Sequence, residues 1–320
     1  MQPTRRHFLS LVAFSTAFAA TPLQAQARLN VVATTGMIGD AARQVGGDLV
    51  EVKSLMGAGV DPHSYRQTRS DIAAMTRADL VLWHGLYLEA QMEEFLLKLA
   101  KRGNVTAVGE AIPKDLLIGH ADYEGRYDPH IWMVPDLWVH VVRAVQKVLT
   151  DTAPEYAATF EANATAHLSS MARLSNYARE KLASVPERAR VLLTAHDAFG
   201  YFGRAYGFDV VGIQGISTES EAGLNRIRTL VDLLVARDIR AVFVESSVSD
   251  RNVRALAEGA AAQGHEVQIG GELFSDAMGQ PGTYEGTYIG MIDHNISTIA
   301  KALGGNVPPR GMDGKLNAGT

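Results

Sequence analysis

Residues 155–184 read EYAATFEANATAHLSSMARLSNYAREKLAS, a stretch without Gly or Pro. Tyr156, Phe160, His167, Met171, Leu174 and Leu182 recur on one side at roughly helical spacing. Pro154 stands at the entrance and Pro186 just past the exit, both acceptable helix boundaries. A helix of this length reaches about 45 Å, longer than one inside a small lobe. The spacing therefore predicts one stiff helix over 154–185 that joins two lobes. The alternative is two shorter helices broken near Asn163.

On either side, short apolar runs alternate with helical patterns. Runs at 29–35, 48–56, 79–83 and 104–108 read as strands, with helices near 36–46, 68–78 and 88–102. The rhythm repeats with strands at 190–195, 208–213, 241–245 and 266–269, and helices near 223–237, 250–263 and 284–303. A further helix is expected from Pro135 to Thr150. Continuous apolar strands alternating with helices imply parallel sheets covered on both faces. The expected fold class is α/β, with two lobes (28–153 and 186–320), each holding a four-stranded, mostly parallel sheet.

Composition narrows the function. Of 320 residues, 47% are apolar, and 30 Lys+Arg stand against 35 Asp+Glu for a formal charge of −5. A mildly acidic chain is poorly suited to neutralising phosphates, so no nucleic-acid partner is expected. The absence of Cys removes disulfides, cysteine nucleophiles and thiolate metal sites.

Residues 1–27 read as an export signal. Arg5-Arg6 lead into Phe8-Leu9 and an apolar run, and Ala25-Gln26-Ala27 has the small-residue pattern of a cleavage site. The paired arginines resemble a twin-arginine signal; an ordinary Sec signal is the alternative. The apolar run is too short to span a bilayer, and no Cys follows it. The expected location is the periplasm, without a lipid anchor.

Four residues stand out as a candidate site. His63 and His130 each follow Asp-Pro, in Asp61-Pro62-His63 and Asp128-Pro129-His130. Proline fixes its own φ and pushes the preceding residue into extended geometry, giving a stiff mount for an imidazole. Each Asp could also accept the second ring N–H of its His. His196 follows the strand at 190–195, and Asp276 lies beyond the last expected strand. All four fall at or past the carboxyl ends of parallel strands, where open α/β sheets bind ligands. Two come from each lobe, so three imidazoles and one carboxylate could meet in the cleft.

The chain resembles the zinc/manganese-type solute-binding proteins of bacterial ABC importers. The matching segments are Asp61-Pro62-His63-Ser64-Tyr65, Gly85-Leu86 with Leu88-Glu89, Asp128-Pro129-His130-Ile131-Trp132, His196 to Phe202, Val244-Glu245-Ser246, and Leu273 to Ala277. The resemblance implies two α/β lobes joined by a long helix, with the metal ligands on His63, His130, His196 and Asp276. It implies a membrane permease as partner, allows a periplasmic zinc chaperone as a second, and fits a monomer. It departs in two places. His84 stands where members often carry Asn. Zinc-type members also often have a long His-rich loop before the second Asp-Pro-His, where this chain has only 119–127 with His120, Asp122 and Glu124.

Three imidazoles and a carboxylate suit Zn²⁺, whereas Mn²⁺ prefers more oxygen donors. Manganese-type members often carry Glu where this chain has His196, so zinc is the expected cargo. A bidentate Asp276 would keep manganese open. No enzymatic activity is expected. A zinc hydrolase would need an open coordination position and a general base such as Asp61, Asp197 or Glu245. An adhesin on the same fold is a third reading, weakened by the absence of a stalk.

Overall fold

The computed structural model describes residues 28–120 and 123–317. The export-signal segment and Asp122 lie outside the described residues.

The first half opens on β1 (Leu29–Ala33), whose Val31, Val32 and Ala33 are fully buried. It continues through α1 (Gly36–Gly46), β2 (Val50–Ser54), α2 (Arg69–Arg77), β3 (Leu80–Trp83), α3 (Glu93–Ala100) and β4 (Val105–Ala107). The four strands form one parallel sheet in the order β2-β1-β3-β4. All four side chains of β3 are buried, as expected of a strand covered on both faces. α2 starts on a capping box, in which the Thr68 side chain accepts from Asp71 N–H while the Asp71 carboxylate accepts from Thr68 N–H. α3 starts later than the sequence pattern predicts. Gly85, Leu86 and Tyr87 all take positive φ, a turn that the apolar periodicity does not reveal.

α4 (Pro135–Thr152) begins with Pro at its first turn, and α5 (Ala157–Ala183) follows after one short turn. α5 is a single helix with no break at Asn163, whose side-chain amide instead donates to the Val45 carbonyl. It buries Phe160, Ala164, His167, Met171, Leu174, Ala178 and Leu182. It packs on α1 and α4 from the first half and on α9 from the second, so it is a spine rather than a free strut.

The second half carries β5 (Val191–Thr194), α6 (Gly200–Tyr206), β6 (Asp209–Gly212), α7 (Leu224–Ala236), β7 (Ala241–Glu245), α8 (Arg251–Ala262), β8 (Gln268–Leu273) and α9 (Tyr288–Ala302). The four expected strands are present as two parallel pairs, β5 with β6 and β7 with β8, and β5 lies beside β7. β8 runs four residues beyond its predicted end because Gly270 and Gly271 hide it from a β-propensity reading. A register shift between Val242 and Phe243 absorbs the irregularity. The Thr287 hydroxyl caps α9 by accepting from Gly290 N–H. Asp276 lies well before this cap and does not initiate the helix.

Candidate metal centre

The four singled-out residues converge. One ligand atom from each of His63, His130, His196 and Asp276 lies within 4.8 Å of the others, and all four residues are buried. His63 and His130 stand on loops of the first half. His196 follows β5, and Asp276 follows β8.

His130 Nε2 is 3.3 Å from His63 Nε2 and 3.3 Å from His196 Nε2. Asp276 presents Oδ1 to His130 Nε2 and Oδ2 to His196 Nε2, each at 3.3 Å. Zinc holds nitrogen and oxygen at about 2.0–2.2 Å, which sets the edges of a tetrahedron at roughly 3.3–3.6 Å. With either Asp276 oxygen as the fourth corner, three edges of the tetrahedron match that size.

The hydrogen bonds aim the lone pairs inward. His130 Nδ1–H donates to Asp128 Oδ1 at 2.7 Å, and His196 Nδ1–H donates to Glu245 Oε2 at 2.5 Å. In the neutral rings this leaves each Nε2 as an acceptor facing other acceptors. Asp276 Oδ1 is buried and receives no hydrogen bond from the described residues, while Oδ2 accepts from the Ser247 hydroxyl at 3.2 Å. A buried carboxylate in this position needs a positive partner, supplied either by protons on the facing rings or by a metal cation that displaces them.

Electrostatics tell the same story. Burial opposes the charged form of His130, but Asp128 and then Asp276 outweigh it and raise the pKa to about 9. Burial likewise opposes charge on His196, and Asp276 with Glu245 overcome it, raising the ring well above its ordinary value. His63 is held down to about 3 by burial, with His130 and His196 adding to the effect. Asp276 is lowered well below the usual carboxylate range: burial opposes this, and the surrounding imidazoles prevail. The pocket thus attracts positive charge.

The two Asp-Pro-His mounts differ. Asp128 accepts from both the backbone N–H and the ring of His130. Among the described residues, Asp61 accepts from the backbone N–H of His63, at 2.8 Å, and from the Ser64 and Thr218 hydroxyls, but not from the His63 ring. The expectation that each Asp orients its own ring therefore holds for one of the two. Proline stiffness holds both loops, but only the second brings its carboxylate alongside the ring.

Sequence reasoning missed how Glu245 is used. It ends β7, and its Oε1 accepts from His196 N–H at 2.9 Å while Oε2 takes the ring proton. With both oxygens engaged, and those of Asp61 likewise, neither is a free general base. Its legible signals were its place at the carboxyl end of a parallel strand and the family-like segment Val244-Glu245-Ser246. His84, left open by the sequence, donates its Nε2–H to the Pro129 carbonyl at 2.8 Å, directly before His130. Its ring stacks on Trp138, which stacks in turn on Tyr288. His84 is fully buried, and desolvation lowers its pKa to about 3, so it stays neutral. His120 lies beside Tyr123 in the short loop.

Buried hydrogen bonds tie the loops of the two halves together beside the cage. Trp132 Nε1–H donates to the Ser275 carbonyl at 2.7 Å, and Tyr288 Oη–H donates to the Trp132 carbonyl at 2.9 Å.

Two α/β lobes on a helical spine, closing on a buried cage of imidazoles and carboxylate, define a substrate-binding protein of an ABC importer whose cargo is a metal ion. The chain belongs to the ZnuA family, described as the periplasmic component A of a zinc-uptake complex, whose profile matches residues 31–302. It is 49% identical over 280 residues to the manganese-binding lipoprotein MntA of Bacillus subtilis, covering 87% of this chain and 91% of the relative. It is 45% identical over 293 residues to the zinc-binding protein TroA of Treponema pallidum, covering 92% and 94%. A solved structure of that periplasmic zinc-binding protein superposes with a TM-score of 0.83 at 46% identity, covering 87% of this chain and 99% of the other. Proteins of this class are not enzymes; they work with membrane permease and ATPase components.

One expectation is corrected by these comparisons. The sequence reading takes the exported chain as free of a lipid anchor, yet MntA and the Streptococcus sanguinis relative SsaB are both named lipoproteins. The inference rested on the lack of a cysteine after the apolar run, which bears on one attachment chemistry only. An unanchored state is not retained.

Proposed function

We propose that the chain is a zinc carrier. His63, His130, His196 and Asp276 hold one Zn²⁺ between lobes 28–153 and 186–320, on the helix over 154–185, and release it to the permease. The observation that carries this reading is the buried convergence of three imidazole Nε2 atoms and the Asp276 carboxylate, with separations of 3.3 Å from His130 to His63, His196 and Asp276. Three neutral imidazoles and one carboxylate match the donor preference of four-coordinate zinc. Similarity to TroA, named for zinc, supports the same ion. All four donors belong to one chain, which favours a monomeric carrier.

Manganese is the second reading. Both Asp276 oxygens face the cage, so a bidentate carboxylate could add the oxygen that Mn²⁺ prefers. Similarity to MntA, named for manganese, supports it too. Elemental analysis of the purified protein, followed by competitive titration with both ions, separates the two. Zinc should be retained at one ion per chain against excess manganese. Stoichiometric manganese held against a zinc competitor would overturn the choice of ion.

A further inference from the structure

The bonds between the lobes are not evenly distributed around the cage. On one side, Trp132 with Ser275, Tyr288 with Trp132, and Tyr201 with the Asp128 carbonyl are all buried. These fix the loops that carry His130 and Asp276. His130 and His196 are each further oriented by a carboxylate on Nδ1. His63 has no such ring acceptor among the described residues. Its loop is held through Asp61, whose Oδ1 accepts from His63 N–H.

Asp61 is in turn held from the opposite lobe. The Thr218 hydroxyl donates to Asp61 Oδ2 at 2.7 Å, in a partly buried contact on the loop between β6 and α7. A second cross-lobe contact on the same loop joins Gln91 to exposed Glu219. His63 is therefore the ligand whose loop is hydrogen-bonded to the opposite lobe through a partly solvated contact at Asp61. Hydrogen bonds of this kind open more readily than buried ones, because water can replace the partner.

We propose that Thr218 is a positioning residue: through Asp61 it keeps His63 on the ion, and parting of the Thr218–Asp61 bond lets the ion leave on the His63 side. This rests on the reading that the four-residue cage holds the metal. His130, His196 and Asp276 stay in place as the ion departs, and Thr218 sets its residence time without touching it.

The test measures transfer of Zn²⁺ from the loaded protein to a chromophoric chelator by stopped flow, in wild type, Thr218→Val and Thr218→Ser. Valine keeps the shape and removes the hydroxyl; serine restores it. Loss of one hydrogen bond to a carboxylate should speed release about tenfold in Thr218→Val, with Thr218→Ser close to wild type. The melting temperature of the metal-free protein should fall by no more than the few degrees that one partly solvated hydrogen bond is worth in Thr218→Val, and stay near wild type in Thr218→Ser. Wild-type release from Thr218→Val, or equal acceleration in the two variants, would overturn the role of Thr218 while leaving the metal site standing. A wild-type chain that binds no Zn²⁺ at all would instead overturn the site itself.

Discussion

Glu245 grips His196 twice: one carboxylate oxygen accepts from the backbone N–H at 2.9 Å and the other from ring Nδ1 at 2.5 Å. The two residues lie 49 positions apart in sequence and meet because β5 and β7 run side by side and both end at the cage. The grip fixes both the ring's tautomer and its direction, as the proposed metal ligand requires.

Glu245→Gln should therefore weaken metal binding about 10–100-fold, the usual effect of losing a carboxylate behind a metal-binding His. Competitive titration against a chelator of known affinity reads this directly. Affinity equal to wild type would show that Glu245 does not orient the ligand.

Proton release gives a second prediction. His130, raised to about 9, and His196, raised well above its ordinary value, carry protons at pH 7 in the metal-free protein, whereas His63, held near 3, does not. Binding must displace the protons these rings carry, so proton release should accompany binding at pH 7. Affinity should keep rising from pH 7 towards 9 and fall below pH 7. Calorimetry in buffers of different ionisation enthalpy counts the protons, and a count of zero would contradict the assignment.

The metal-free chain should show the opposite stability trend. Folded-state pKa values above the unfolded one mean that His130 and His196 stabilise fully below about 6.5, and that His130 loses this as pH rises through about 9. Asp276, held low, loses its share only at acid pH. Denaturant unfolding of metal-free protein across pH 6–10 should show stability falling towards the alkaline end. A rise would reverse the sign.

Much of this was legible in the chain. The doubled Asp-Pro-His is a local pattern, and continuous apolar runs such as that of β3 mark buried parallel strands. Together with the family resemblance, these singled out His63, His130, His196 and Asp276, which the fold brings together. What stayed hidden depends on pairings across long sequence separations. Trp132 meets Ser275 at a separation of 143 residues, and no periodicity reports such a contact. Glu245 was visible as a chemically able group, but its partner was not, so it read as a candidate base. The start of α3 was obscured by a positive-φ turn, and the extent of β8 by two glycines.

Trp132→Phe tests the fixed side of the cage. Trp132 is fully buried, and its loss would leave the Ser275 carbonyl without its donor and a cavity beside Asp276. A loss of about 2–4 kcal/mol in unfolding free energy is expected. Unchanged stability by urea titration would show that this bond does not tie the lobes.

The most direct test of the central claim is the X-ray absorption spectrum of the protein loaded with one equivalent of Zn²⁺. The account predicts three imidazole nitrogens with one or two carboxylate oxygens at about 2.0–2.2 Å. A shell with fewer than three imidazoles would contradict it.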